Sequence, residues 1–267
     1  MFYSIILTFL TLLRKVLCMV AVLSVISGKG GVGKTTTSAN LSVALANKEY
    51  KVTAVDGNIT TPNLAIHFGM PICPVTLHDV IKGRADVSKA VYRHPTGVDL
   101  VPAGLSVEDT KNIRPEKFYV AIKQLFNRSG IVIIDGAAGL GREARTSMAL
   151  ADGMLLVTNP EMPTVTDALK AIKMSDLMNK PVYGVVLNRV GGHDYEMSTK
   201  EVEEMLNVPV LAEIPEDRYI PASIAAKTPV VKFKPRSKSA RAFRKLAADL
   251  MGDEHKEKKR FSLLWWR

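Results

Sequence analysis

Eleven residues starting at Ser27, SGKGGVGKTTT, constrain this chain more than any others. Gly28, Gly33, Lys34 and Thr35 fill every fixed position of the pattern G-x-x-x-x-G-K-[ST]. The apolar run VAVLSVI precedes them and the helical pattern KTTTSANLSVALANK follows. Strand, glycine-bearing turn and helix in that order make a phosphate-binding loop. Glycines let backbone N–H groups turn inward, and the helix adds its positive end. Lys34 is expected to reach the β and γ phosphates, and the Thr35 hydroxyl to bind Mg²⁺. Lys29 is one lysine more than the pattern needs.

The rest of the chain repeats the alternation. Strand candidates are KVTAVD, VDLVPA, GIVIID, GMLLVTN, PVYGVVLN and VPVLAEIP, mostly apolar throughout, as befits strands buried on both faces of a parallel sheet. Helical patterns lie between them. RPEKFYVAIKQLFNR has Pro115 near its first turn, and SKSARAFRKLAADLMG begins at Ser237 and stops at Gly252. The expected fold is α/β: a single-domain P-loop NTPase, with a mostly parallel twisted sheet and helices on both faces. Its ligands belong beyond the carboxyl ends of the strands.

That edge is where a metal-holding acid is expected. IVIIDGAAGLG reads as a buried strand that ends in Asp135 before a glycine-bearing loop, so Asp135 is the Mg²⁺ candidate. The alternative is an Asp that caps the next helix. A GTP site of the common kind carries N/T-K-x-D after a later strand. Here VYGVVLN runs into Asn188-Arg189-Val190-Gly191 with no Asp, which points to ATP.

Composition narrows the partners. The net charge of +10 suits an anionic partner: a nucleotide, nucleic acid or an anionic membrane. Two distant cysteines, Cys18 and Cys73, offer no disulfide framework or metal spacing and fit a reducing cytosol. The five scattered histidines show no ligand pairing. Residues 1–13 are nearly all apolar, but too few for a membrane span and without a signal peptide's cleavage site. Met19 opens the clean strand pattern MVAVLSVIS, so translation is expected to start there; the other reading is a short apolar anchor. The expected division is an extension over 1–18, an ATPase domain over 19–252 and a tail over 253–267.

KGGVGKTT resembles the deviant Walker A motif of the MinD/ParA family, whose extra lysine sits where Lys29 does. The resemblance runs from about Met19 to Gly252 by motif order. It takes in Asp56 of AVDGNITTPNL, the switch VIIDGAAGLG, TNPE at 158–161, LNRV at 187–190 and EIPED at 213–217, and it favours the MinD branch. It implies an ATPase in which two protomers sandwich two ATP molecules. Lys29 would then cross the interface to stabilise transition-state charge, as an arginine finger does. Gly30, Gly31, Val32, Gly33, Lys34, Thr35 and Thr36 would bind phosphate, and Asp135 would serve Mg²⁺. Asn188 and Pro215 would border the adenine, and Glu161 the partner's ribose. Relatives that carry metal clusters use paired cysteines, which this chain lacks.

One departure bears on catalysis. The family usually has a second Asp two residues beyond the position of Asp56, to place the attacking water. Here that residue is Asn58, which can hydrogen-bond water but cannot take its proton. The switch also reads Gly136-Ala137 where relatives often carry a pair such as Ser-Pro. Both point to slow hydrolysis or to a switch that only binds; since phosphoryl transfer depends chiefly on geometry and electrostatics, retained but slow hydrolysis is the expectation.

The tail DEHKEKKRFSLLWWR places Phe261, Leu264 and Trp265 on one helical face, with Trp266 off it and Lys256, Lys259 and Arg260 mostly elsewhere. Tryptophans favour headgroup regions and cations favour anionic lipids. MinD-type proteins carry a similar basic–apolar tail. The implied protein is a cytoplasmic switch peripheral to the inner face of the cell membrane. It dimerises with ATP and positions division proteins or other complexes with an unidentified partner or activator. The alternatives are a ParA-type DNA-partitioning ATPase, given the basic segment from Lys227 to Lys245, and a nucleotide-binding scaffold with negligible turnover.

Overall fold

The computed structural model describes residues 22–105, 115–126 and 129–252. The apolar extension and the basic tail lie outside the described residues.

Eight strands form one sheet: β1 Val22–Ser27, β2 Val52–Asp56, β3 Tyr92–Arg93, β4 Val98–Val101, β5 Ile131–Ala138, β6 Gly153–Thr158, β7 Val182–Val190 and β8 Val210–Pro215. Their order is β3-β4-β2-β5-β1-β6-β7-β8. All neighbours are parallel except β3 and β4. The sequence explains the parallel sheet directly. Side chains alternate across a strand, and here both faces are covered. In β5, Ile131 and Ile133 enter one core while Val132 and Ile134 enter the other.

On the first face pack α1 Lys34–Ala46 and α10 Lys238–Met251, joined by the short helices α2 Leu64–His67 and α9 Val230–Phe233. The opposite face takes α3 Leu77–Ile81, α4 Pro115–Phe126, α5 Arg142–Leu150, α6 Met162–Leu177 and α7 Thr199–Leu206. A further short helix, α8, spans Tyr219–Ala225. The expected single α/β domain with helices on both faces is what the chain forms.

Local signals set several boundaries. Ser237 caps α10 by accepting a hydrogen bond from Ala240 N–H at 3.1 Å, and Gly252 ends the helix in the left-handed region at φ 70°. Helix α1 is buried along nearly its whole length despite its hydroxyls. Thr37 and Ser42 each donate to the carbonyl four residues back, which satisfies them without solvent.

Two features depart from the pattern. Strand β5 does not end at Asp135 but runs through Gly136 to Ala138: between Asp135, opposite Val25, and Ala138, opposite Ser27, it holds one residue more than β1, and pairing resumes beyond that bulge. A β-carbon on Gly136 would sit 2.9 Å from the Val25 carbonyl oxygen, so this stretch of strand needs glycine. Strand β3 is two residues long, and its pairing depends on the turn through Gly97 at φ 86°.

Phe243 of α10 is fully buried among residues of α1 and the sheet. Phe243→Ala should cost about 3–5 kcal/mol of unfolding free energy through lost contacts and the cavity left behind. Urea denaturation of the two proteins measures the difference.

Candidate functional site

β1 lies between β5 and β6, and the chain leaves it outward to β2 on one side and later to β6 on the other. Ligands settle beyond the carboxyl ends at such a switch point. The phosphate loop is there, between β1 and α1.

Two close approaches fix the loop's course. A β-carbon on Gly28 would lie 2.0 Å from the carbonyl oxygen of Asp167 in α6. A β-carbon on Gly33 would lie 2.1 Å from Asn188 Nδ2, and Gly33 also holds φ 97°. No side chain fits either place, which accounts for both glycines beyond phosphate access. Asn188 is itself buried, and its Nδ2 donates to the Val32 carbonyl at 2.7 Å. At the outer edge Lys29, Gly30 and Gly31 are exposed, and the Ser27 hydroxyl donates to the Lys29 carbonyl at 2.9 Å.

The two lysines part company. Lys34 is 7% exposed and turns inward, its Nζ 3.6 Å from Asp135 Oδ1. Lys29 faces solvent near α6, where Asp167 is held below the usual carboxylate range, chiefly by its hydrogen bond from Lys170, with Lys29 adding to it.

Beneath Lys34 sits a pair of acids. Asp56 and Asp135 end up opposite one another on the adjacent strands β2 and β5, and both are fully buried. Asp135 Oδ1 accepts from Ser38 Oγ at 2.9 Å, while Oδ2 has no partner among the described residues. Asp56 accepts from the N–H groups of Leu64 at 2.9 Å and Asn58 at 3.2 Å. Burial in the first place, and then the charge of Asp135, push Asp56 up to about 7 against the lowering effect of those hydrogen bonds and Lys34. Two buried carboxylates share one lysine, and one carboxylate oxygen is orphaned. The site is short of positive charge, and its hard oxygen donors suit a divalent cation such as Mg²⁺.

Thr35 follows Lys34 at the helix start, half-buried. Thr36 Oγ1 lies 3.4 Å from His67 Nε2 of α2. Glu161 is the exposed residue before α6, and its carbonyl accepts from Thr164 and Val165 N–H. Pro215 ends β8, paired with Val190 of β7, on the same edge of the sheet. Asn58 spends its side chain locally: Nδ2 donates to the Thr61 carbonyl at 2.8 Å, and Oδ1 accepts from Thr61 N–H at 3.3 Å and from its hydroxyl at 3.2 Å. The loop after β2 is also tied to the start of α5, because the Thr60 hydroxyl donates to the Glu143 carboxylate. Phe261, Leu264, Trp265 and Trp266 lie outside the described residues.

Three participants were not singled out from the sequence as site residues. Asp56 closes the apolar run of β2, as Asp135 closes the apolar run IVII of β5 before Gly136, which was a usable signal. Ser38 stands one helical turn after Lys34, on the same face. Nothing local marks Asp167, whose contribution is a backbone carbonyl.

The ParA family model described as "NUBPL iron-transfer P-loop NTPase" matches residues 19–251. An uncharacterised ATP-binding protein of Methanocaldococcus jannaschii is 40% identical over 237 residues, 89% of this chain and 90% of that protein. The crystal structure of the Pyrococcus furiosus cell division ATPase MinD superimposes with a TM-score of 0.84 at 40% identity, over 87% of this chain and 98% of the other. The septum site-determining protein MinD of Pyrococcus horikoshii, solved with Mg-ADP, gives 0.83 at 38% identity, over 86% and 95%. The cation-poor carboxylate pair thus falls in a fold that uses ATP and Mg²⁺.

The acid pair gives a pH signature. Below about pH 4 Asp56 is protonated whether folded or not and costs nothing, taking its ordinary value as 3.8. From there to about 7, the unfolded chain is ionised while the folded one resists, so stability falls as pH rises and then levels. Without Mg²⁺ and nucleotide, the wild-type melting temperature should fall between about pH 4 and pH 7 more steeply than that of Asp56→Asn. Parallel slopes for the two proteins in scanning calorimetry would remove the assignment.

Proposed function

The chain belongs to the ParA/MinD family of P-loop ATPases, and on that footing we propose that it is an ATP-dependent dimerising switch of the MinD type. It would cycle between cytoplasm and membrane to position other protein complexes. The observation that carries this reading is the divergence of the two loop lysines: Lys34 buried against Asp135, Lys29 exposed and near Asp167 of α6.

In this reading the loop N–H groups from Gly30 to Thr36 cradle phosphates, and Lys34 neutralises them from below. Thr35 and Asp135 hold Mg²⁺, with Asp56 behind them. When bound, Mg²⁺ supplies positive charge that offsets the phosphate oxygens and the carboxylate pair. Lys29 cannot share an oxygen with Lys34 without repulsion, but its long side chain suits phosphates held by a second copy. Asn188 and Pro215 stand on the strand edge proposed for adenine, and Glu161 on the edge proposed for the partner's ribose. Iron transfer is not adopted, since Cys18 and Cys73 are the chain's two cysteines and stand far apart.

Asn58 sets the proposed rate. Phosphoryl transfer depends chiefly on geometry and electrostatics, so turnover survives without a carboxylate there. It is slow, because an amide engaged with Thr61 must both release and orient the water without accepting a proton. The tail over 253–267 supplies a weak anchor, and ATP-dependent pairing doubles it. Two weak anchors in one particle bind far more strongly than one. No helix among the described residues is long and apolar enough to cross a membrane, so peripheral attachment is the form proposed.

Wild-type protein should form dimers and sediment with anionic vesicles in ATP but not in ADP. Lys29→Ala should retain nucleotide binding yet lose both responses, by about tenfold or more in apparent affinity. An ATP-dependent dimer unchanged by Lys29→Ala in sizing chromatography would falsify the crossing lysine.

Asn58→Asp should raise the steady-state ATPase rate by about tenfold or more, less than the roughly 10²–10⁴-fold of a full proton acceptor because the amide already places the water in part. A flat or reduced rate in a phosphate-release assay would show that the water is placed by other groups.

A further inference from the structure

The net charge of this chain is not spread over its fold. Residues 1–217 carry 22 Lys and Arg against 22 Asp and Glu, and are neutral. Residues 218–248 carry nine Lys and Arg and no acid. Nearly the whole net charge of +10 therefore sits on α8, α9 and α10 and the turns between them.

The packing aims this charge outward. Val230, Val231, Phe243, Leu246 and Leu250 turn into the core shared with α1. What remains outside is Lys232, Phe233, Lys234, Arg236, Lys238 and Arg241, all exposed. Among the described residues one ion pair is made on this ridge, Lys245 to Asp249 at 2.7 Å, and the Asp217 carboxylate is engaged with Ser239 and the Tyr219 N–H at its edge. The ridge is also partly rigid. Arg241 Nη1 donates to the Arg236 carbonyl at 3.1 Å, and Arg244 Nη1 to the Pro235 carbonyl at 2.7 Å. Arg218 and Lys234 stand 5.3 and 5.2 Å from the centre of the Tyr219 ring. Crowding like charges without internal acids works against the compact state, and a polyanionic surface removes that cost.

Two anionic surfaces could fit, and the ridge distinguishes them. Phe233 is 40% exposed, and Lys232 and Lys234 flank it in sequence. An aromatic ring between cations with long apolar stems is the composition of a contact at the water–lipid boundary. Duplex DNA would engage the cations through phosphates and leave the ring without a role. The chain also leaves α10 at Gly252 straight into the segment that holds Trp265 and Trp266.

We propose that the α8–α10 ridge is a docking face for an anionic phospholipid bilayer, acting beside the tail and holding the folded body against the membrane. The proposal rests on the membrane reading above and adds a folded surface to it. Each cation near an anionic leaflet strengthens binding by about fivefold, so the ridge rivals the tail as a source of affinity.

The test uses the full chain with Mg²⁺ and ATP. It is sedimented with phosphatidylcholine vesicles, with or without phosphatidylglycerol, across a range of KCl. The variant Lys232→Gln/Lys234→Gln/Arg236→Gln/Lys238→Gln should bind anionic vesicles at least about tenfold more weakly, with a shallower salt dependence. Its ATP affinity should match the wild type and its melting temperature should be no lower, since fewer like charges are crowded together. The charge-preserving variant Lys232→Arg/Lys234→Arg/Arg236→Lys/Lys238→Arg should bind as the wild type does. If the glutamine variant binds vesicles normally while deletion of 253–267 abolishes binding, the ridge proposal fails and the membrane reading survives. If the wild type ignores vesicles in ATP and instead binds duplex DNA through these four residues, both are overturned.

Discussion

The structure is organised around two places where backbone and side chain leave no room for a β-carbon. Gly28 lies against the Asp167 carbonyl of α6, and Gly33 lies against the amide of Asn188 from β7. Between these clamps the chain turns from β1 into α1, with Gly31 and Gly33 at positive φ. The loop is thereby referenced to helix and strand at once, not to the rigidity of its own six residues. Lys34 can then be buried, and a buried lysine requires a carboxylate within reach. Asp135 supplies it, and the strand order places Asp56 alongside.

That second acid gives the site its character. A single Lys34–Asp135 pair would be close to balanced. With Asp56 opposite, held near neutral pH by burial and its neighbour, the site carries more negative potential than it can satisfy from within. A fold that keeps such a pair is destabilised unless a cation arrives. Ligand binding and stability are therefore linked through the same two carboxylates. The hydrogen bond from Thr60 to Glu143 joins the loop after β2 to the start of α5.

Charge separates the molecule's tasks. The neutral portion up to residue 217 contains the sheet, the loop and the acid pair. The basic portion after it packs on α1, the helix that begins at Lys34. Asn40 of α1 accepts from Val231 N–H of α9 at 3.0 Å, a direct link between the phosphate helix and the basic ridge. The nucleotide site and the proposed membrane face thus share one helix, without sharing a surface.

What the sequence alone determined is what depends on neighbours along the chain. The phosphate loop, the parallel sheet and the ends of α10 at Ser237 and Gly252 all follow from spacing, side-chain volume and capping over a few residues. Asp135 was legible for the same reason, as an acid at the end of an apolar run. The second lysine was visible too, although its proposed partner lies beyond a single chain. The tertiary structure decided the rest. Strand order set Asp56 against Asp135, the register of β7 brought Asn188 to Val32, and a bulge in β5 carried that strand on to Ala138. These pairings join residues far apart in sequence. Periodicity reports which face of an element is buried, but not which other element buries it, so only the packed chain could reveal the short supply of positive charge at its centre.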